Sequence, residues 1–236
     1  MTASGSFERL DAAPVQEMVV QLETRIATRF PDRGLRKVAA DLVQMADEVA
    51  DNALETQRRL RLVQTIARGL IVLIVLATVV VLLVALKDAV QHDELASFEW
   101  VPLIESVIND LVFAAIAVFF LYALPGRLAR SRLLAQLHRL RSLAHVVDMH
   151  QLTKDPERLR PGFQATHDSL DPRLGRDDLE RYLDYCSELL SLVAKVAALC
   201  AEESQDAVVL DTVSTIEQLT TSMSRKIWQK ISLLPR

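Results

Sequence analysis

The sequence predicts an all-α integral membrane protein, a two-span helical hairpin with cytoplasmic flanks that form a helical bundle or coiled-coil-like assembly. Three observations predict it. The 236-residue chain is 50% hydrophobic but holds only 6 Gly and 8 Pro, too little punctuation for a strand-rich fold. Residues 69–86, GLIVLIVLATVVVLLVAL, carry no charge and as a helix cover about 27 Å, close to a bilayer core of roughly 30 Å. Outside the apolar stretches, hydrophobic residues return at steps of three and four, the spacing of one helical face.

The first flank, residues 1–68, reads as a helical hairpin that runs into the membrane. Its start, MTASGSFERLDAAPVQEMVV, has acidic residues early and no apolar core, so membrane targeting is expected from an internal span rather than a cleavable signal. Val15, Met18, Val19, Leu22 and Ile26 share one face until FPDRG, Phe30 to Gly34, supplies a turn signal. Leu35, Val38, Leu42, Met45 and Val49 then continue the pattern. No Pro or Gly intervenes before Gly69, so this helix is expected to pass unbroken into the first span, residues 69–87.

A short connection, residues 88–100, precedes the second span, residues 101–125. Around the loop the only fixed positive charge is Lys87, alongside Asp88, Asp93, Glu94 and Glu99. Arg58, Arg59, Arg61 and Arg68 precede the first span, and Arg127, Arg130, Arg132, Arg139 and Arg141 follow the second. The positive-inside rule then places both termini in the cytoplasm of a multi-pass plasma (inner) membrane protein, with Trp100 and Tyr122 as interfacial anchors.

The second span is unusual in keeping Glu105, Asn109 and Asp110. On a wheel of 100° per residue, Glu105, Asn109, Ser106 and Asp110 fall at about 0°, 40°, 100° and 140°. Phe113, Ile116, Ala117 and Phe120 extend that arc inward, whereas Val107, Leu111, Ala114, Ala115 and Val118 lie on the other side. Counted back from Leu124, Glu105 sits about 28 Å away and Asp110 about 21 Å away, which puts Asp110 inside the hydrocarbon. An ionised Asp there costs up to about 2.5–3.5 kcal/mol on insertion scales, so it should face protein or water. Repeated around a symmetric homo-oligomer, the stripe makes carboxylate rings above apolar rings that close by dewetting. The expectation is therefore an ion channel or membrane-permeabilising effector lined by Glu105, Asn109, Asp110, Phe113, Ile116, Ala117 and Phe120. The alternative is a non-conducting scaffold or signalling adaptor that recruits a cytoplasmic partner through its helices.

Pro125 and Gly126 are expected to kink or break the chain at the inner surface. The juxtamembrane helix, residues 126–152, carries the seam Leu133, Leu137, Leu140, Ala144 and Val147, and its Arg127, Arg130 and Arg132 are candidates for phospholipid headgroups. Residues 153–178 collect three Pro and two Gly and read as a linker with one short helical turn. Residues 179–236 form two helices separated by AEESQDA. Tyr182, Cys186, Leu189, Val193, Val196 and Cys200 mark the first, and Val209, Val213, Ile216, Leu219, Met223 and Ile227 the second. Such seams need either each other or further copies of the chain.

No enzymatic motif appears: there is no Walker loop, dinucleotide fingerprint, HExxH, EF-hand or nucleophile elbow, and no cofactor or metal is expected. His138, His145, Asp148 and His150 share a helix, but Asp148 and His150 point about 200° apart, so surface histidines are the simpler reading. Tyr182 belongs to a packing seam, and Tyr185 and Asp184 beside it have no evident catalytic partner. Cys186 and Cys200 lie about 21 Å apart along one helix and cannot pair, which suits buried thiols in a reducing compartment. A net charge of -4 with interspersed signs gives no specific sign of nucleic-acid binding. The expected partners are the bilayer, further copies of the chain, and a cytoplasmic regulatory partner or ligand.

Overall fold

The computed structural model describes residues 10–91, 100–159, 162–164, 174–202 and 204–234. They form five α-helices, α1 (Ala12–Arg29), α2 (Gly34–Gln91), α3 (Trp100–Leu152), α4 (Arg176–Ala201) and α5 (Ala207–Ser232), with one 3-10 turn at Pro156–Leu159. No strand occurs among the described residues. The expected extracytoplasmic loop falls largely on residues 92–99, outside the described residues.

The helix ends follow from local chemistry. The Asp11 carboxylate accepts the Ala13 N–H at 3.2 Å at the start of α1. Phe30 closes that helix by donating its N–H to the Ile26 carbonyl at 2.8 Å. Asp206 caps α5 by accepting from Val208 and Val209, the polar-cap chemistry that satisfies otherwise orphaned first-turn amides. Gly175 has no side chain to cap α4, but Asp177 and Asp178 in its first turn face the positive end of the helix dipole. A turn at FPDRG separates α1 from α2, and the 3-10 turn Pro156–Leu159 follows α3; much of the expected linker, residues 160–161 and 165–173, lies outside the described residues.

Of the kink or break expected at Pro125 and Gly126, the break does not occur: α3 runs continuously from Trp100 to Leu152 with Pro125 inside it. A proline removes one amide donor from the helical ladder, but the strongly helical residues on both sides carry the turn across it. The chain divides into two compact units nearby, residues 1–53 with 130–236, and residues 54–129.

The first unit is a helical bundle. Val15, Val19, Leu22 and Ile26 of α1 join Leu35, Val38 and Leu42 of α2 and Leu137, Leu140, Ala144 and Val147 of α3 in one buried cluster with α4 and α5. All six seam residues of α4, Tyr182 to Cys200, are buried, as are Val209, Val213, Ile216, Met223 and Ile227 of α5. Met45, Val49, Leu133 and Leu219 pack at its margin, and Met18 alone of the expected faces turns outward. The seams are thus filled by each other within a single chain. Helix α4 packs against both α5 and α1 and buries Leu179, Leu183, Leu190 and Leu192 besides its expected stripe. A helix apolar on more than one side is what the centre of a bundle requires. Phe30 stands edge-on to Tyr182 and Tyr185, with ring centroids 5.4 and 6.1 Å apart, so the α1–α2 turn is pinned onto α4.

The second unit contains the two helical stretches apolar and long enough to cross a membrane, Leu62–Val84 in α2 and one beginning at Ile104 in α3. Their large side chains are exposed in the single chain: Leu73 is 62% exposed, Val84 62% and Phe113 66%. So much uncovered hydrocarbon is unstable in water and natural in lipid.

Candidate functional site

Within the second unit, the residues singled out on α3 fall on one side. Glu105, Asn109, Asp110, Phe113, Ile116 and Phe120 are all exposed. The partly covered residues Val107, Ala114, Val118 and Leu121 centre near 180° on the same wheel, opposite the stripe, while Ala123, near the inner end, is partly covered on the stripe side. Ala117 is partly covered as well and sits at the border of the two faces. In α2 the least exposed positions, Ala67, Ile71, Ile74 and Thr78, also step by four and three. Thr78 returns its hydroxyl to the Ile74 carbonyl at 2.9 Å and so adds no free polar group. Among the described residues, nothing covers the Glu105–Asn109–Asp110 stripe.

Of the expected headgroup residues, Arg127 lays its guanidinium 6.0 Å from the centre of the Phe120 ring, within reach of a cation–π attraction. Arg130 belongs to the other unit and lies 3.6 Å from the Asp206 carboxylate. Arg132 is exposed.

In the first unit, a group of polar side chains gathers at the C-terminal end of α3. Lys230 of α5 donates from Nζ to the carbonyls of Gln151 at 2.8 Å and Lys154 at 3.4 Å, joining the Lys154 N–H, which donates to the same Gln151 carbonyl at 3.1 Å, at the end of the helix. Lys154, only 9% exposed, stands with Nζ 5.4 Å from the Tyr182 ring centre and donates to Thr153 Oγ1 at 3.3 Å. Burial, then the neighbouring charges of Arg33 and Arg158, hold its pKa below the usual lysine value. Burial lowers Lys230 too, against the opposing pull of Asp155 and Asp148. Gln151 donates to Asp148 Oδ1 at 2.6 Å, while its buried Oε1 has no donor; the buried Arg158 Nε has no acceptor. Burial pushes the Tyr182 hydroxyl and the Cys186 thiol well up, and Cys200 up to about 12. Both thiols are free and buried, so neither is a nucleophile in the folded state.

The histidines take ordinary places. His138 and His145 are exposed. His150 packs against the backbone of Gly34, where an added Cβ would strike its ring; burial and the Lys154 charge lower its pKa. Asp184 pairs with Arg181 at 3.2 Å on the surface. Tyr185 lies under the Arg25 guanidinium, 5.1 Å away, while Arg25 forks onto Glu188 with two bonds of 2.9 and 2.6 Å. These contacts hold α1 on α4.

The cluster at Gln151, Lys154, Arg158 and Lys230 was hidden in the sequence. Lys154 and Arg158 sit in a segment that reads as a linker, and Lys230 reaches the Lys154 carbonyl from 76 residues away. Only the i,i+4 spacing of Lys154 and Arg158 offered a signal. No protein-family model matches the chain, and neither the curated proteins nor the solved structures provide a match.

Proposed function

We propose that the chain assembles through its spans into an oligomeric membrane channel, with α3 lining the path and the helical bundle controlling assembly and opening. One observation carries this reading: Asp110, inside the expected hydrocarbon depth, lies on a face that no described residue covers. A lone hairpin would present that carboxylate to lipid at a cost of up to about 3 kcal/mol. Symmetric copies remove that cost by turning the stripe onto a common aqueous axis, where Glu105 and Asp110 concentrate cations and Phe113, Ile116 and Phe120 form the constriction. Arg127 and Arg132 then meet anionic headgroups at the inner surface, with both termini in the cytoplasm.

Substituted-cysteine accessibility tests the reading. Cysteine at Glu105, Asn109 or Phe113 should react with a water-borne cationic thiosulfonate and block current, whereas cysteine at Leu111 or Val118 should not. Equal reactivity around the helix would overturn it. A second reading, a non-conducting membrane scaffold or adaptor, draws support from the bundle's closed core, which needs no second copy to bury its seams. Under that reading none of these cysteines affects a current, because none flows.

A further inference from the structure

Helix α3 carries a second exposed stripe, on the part of it that belongs to the bundle. Ser131, Ala135, His138, Ser142, His145 and Met149 recur at steps of four, three, four, three and four, and every one is exposed. That spacing is the heptad of a seam between two helices. Ser131, Ala135 and Ser142 are small and let backbones approach. The Ser142 hydroxyl donates to the His138 carbonyl at 3.0 Å, so burying it leaves no donor unpaired. Met149 is 66% exposed, and Leu152, the next position of the seam, 62%; covering this apolar end is favourable.

The absence of fixed charge sets the stripe apart. It holds no Asp, Glu, Lys or Arg, whereas the other bundle helices each expose charge on their outer faces, with Glu17 on α1, Lys37 on α2, Lys195 on α4 and Arg225 on α5. On a wheel, Arg139 and Arg141 flank the stripe, each about 80° from its centre, and Arg139 already pairs with Glu48. Such a stripe suits a second copy of itself. Symmetric copies bring equivalent residues together, and a charge on the seam would then meet its own sign.

The stripe also continues the face of α3 that lines the proposed path. The helix is unbroken, and Phe120, Leu124, Leu128 and Ser131, all exposed, follow at steps of four, four and three. Arg127, beside them, holds its guanidinium 6.0 Å from the Phe120 ring centre.

We propose that the Ser131–Met149 stripe of α3 packs against the same stripe of neighbouring copies of this chain, parallel and in register, so that the helices stay in contact beyond the membrane. The inference rests on the spans assembling around a shared axis, but not on their conducting. Copies that cross one bilayer with the same topology run parallel, which brings Ser142 of one copy level with Ser142 of the next.

The test uses the full chain in proteoliposomes, with one added cysteine at Ser142, at Phe113 in the span or, as a control, at Ser191 on the exposed side of α4. Cys186 and Cys200 are buried and give no background. A short bismaleimide should link chains through Ser142→Cys and Phe113→Cys but not through Ser191→Cys. Ser142→Glu should weaken association about tenfold or more, read by light scattering on dilution in detergent, because every copy brings the same charge to the contact. Ser142 is exposed, so the bundle's Tm should hold, and Ser191→Glu should leave association unchanged. Linkage through Phe113→Cys without linkage through Ser142→Cys, or association indifferent to Ser142→Glu, overturns the inference and leaves the assembly of the spans standing. Linkage at neither position overturns both. Linkage through Ser142→Cys in copies that pass no current supports the contact and overturns the channel reading alone.

Discussion

Truncating Leu190 to alanine probes whether the extra buried face of α4 is satisfied inside one chain. Leu190 is 0% exposed, on the central helix α4, in the cluster that α1, α2, α3 and α5 complete. Removing a fully buried leucine side chain beyond Cβ costs its transfer free energy plus the cavity left behind, about 2–5 kcal/mol. For a unit of some 160 residues, each kcal/mol shifts the midpoint by about 2–4 °C. A loss of about 3 kcal/mol therefore lowers Tm by about 6–12 °C. The assay is thermal unfolding of the full chain in detergent, followed by near-ultraviolet circular dichroism, with size-exclusion light scattering run alongside. We expect the fall in Tm with an unchanged number of subunits. A shift under about 2 °C, or dissociation into smaller species at unchanged Tm, would mean that this face of α4 serves contacts between chains instead.

Three other outcomes follow from the bundle. Cys186 and Cys200 should stay unreactive toward a thiol reagent at pH 8 in the folded protein, and both should react in denaturant; rapid native labelling would contradict their burial. His150 is held neutral by burial, so its folded pKa lies below the ordinary 6.5. Its contribution to stability is complete above that value and is lost as the pH falls through the folded pKa. His150→Gln should flatten the fall in Tm in that acidic window, and an unchanged slope would exclude the effect. Arg25→Met removes an exposed ion pair with Glu188 and a contact with Tyr185, so its cost should stay near 1 kcal/mol; a loss as large as that of Leu190→Ala would place the α1–α4 contact at the heart of the fold.

The periodic faces were readable because burial in a bundle obeys a local rule, one stripe per helix. All six seam residues of α4 and most of those of α5 are buried as their spacing requires. The extra buried faces of α4 were less legible, since centrality depends on how many helices surround it. Pro125 shows the opposite failure: a residue that usually ends a helix is carried inside α3, because one missing hydrogen bond is small against the propensity of both flanks. The stripe on the second span could be drawn on a wheel, but which side the chain itself covers needed coordinates. The Lys230 contact with the Lys154 carbonyl was out of reach, as it joins a linker to a helix 76 residues away.

Ion selectivity across planar bilayers, compared between the full chain and Asp110→Asn, addresses the proposed channel most directly. A salt gradient should give stepwise currents with a reversal potential displaced toward the cation equilibrium value. Neutralising Asp110, which adds no bulk, should move that potential toward zero while the oligomer, checked by cross-linking, persists. Absence of current from a cross-linked oligomer, or a reversal potential indifferent to Asp110→Asn, would contradict a path lined by this face of α3.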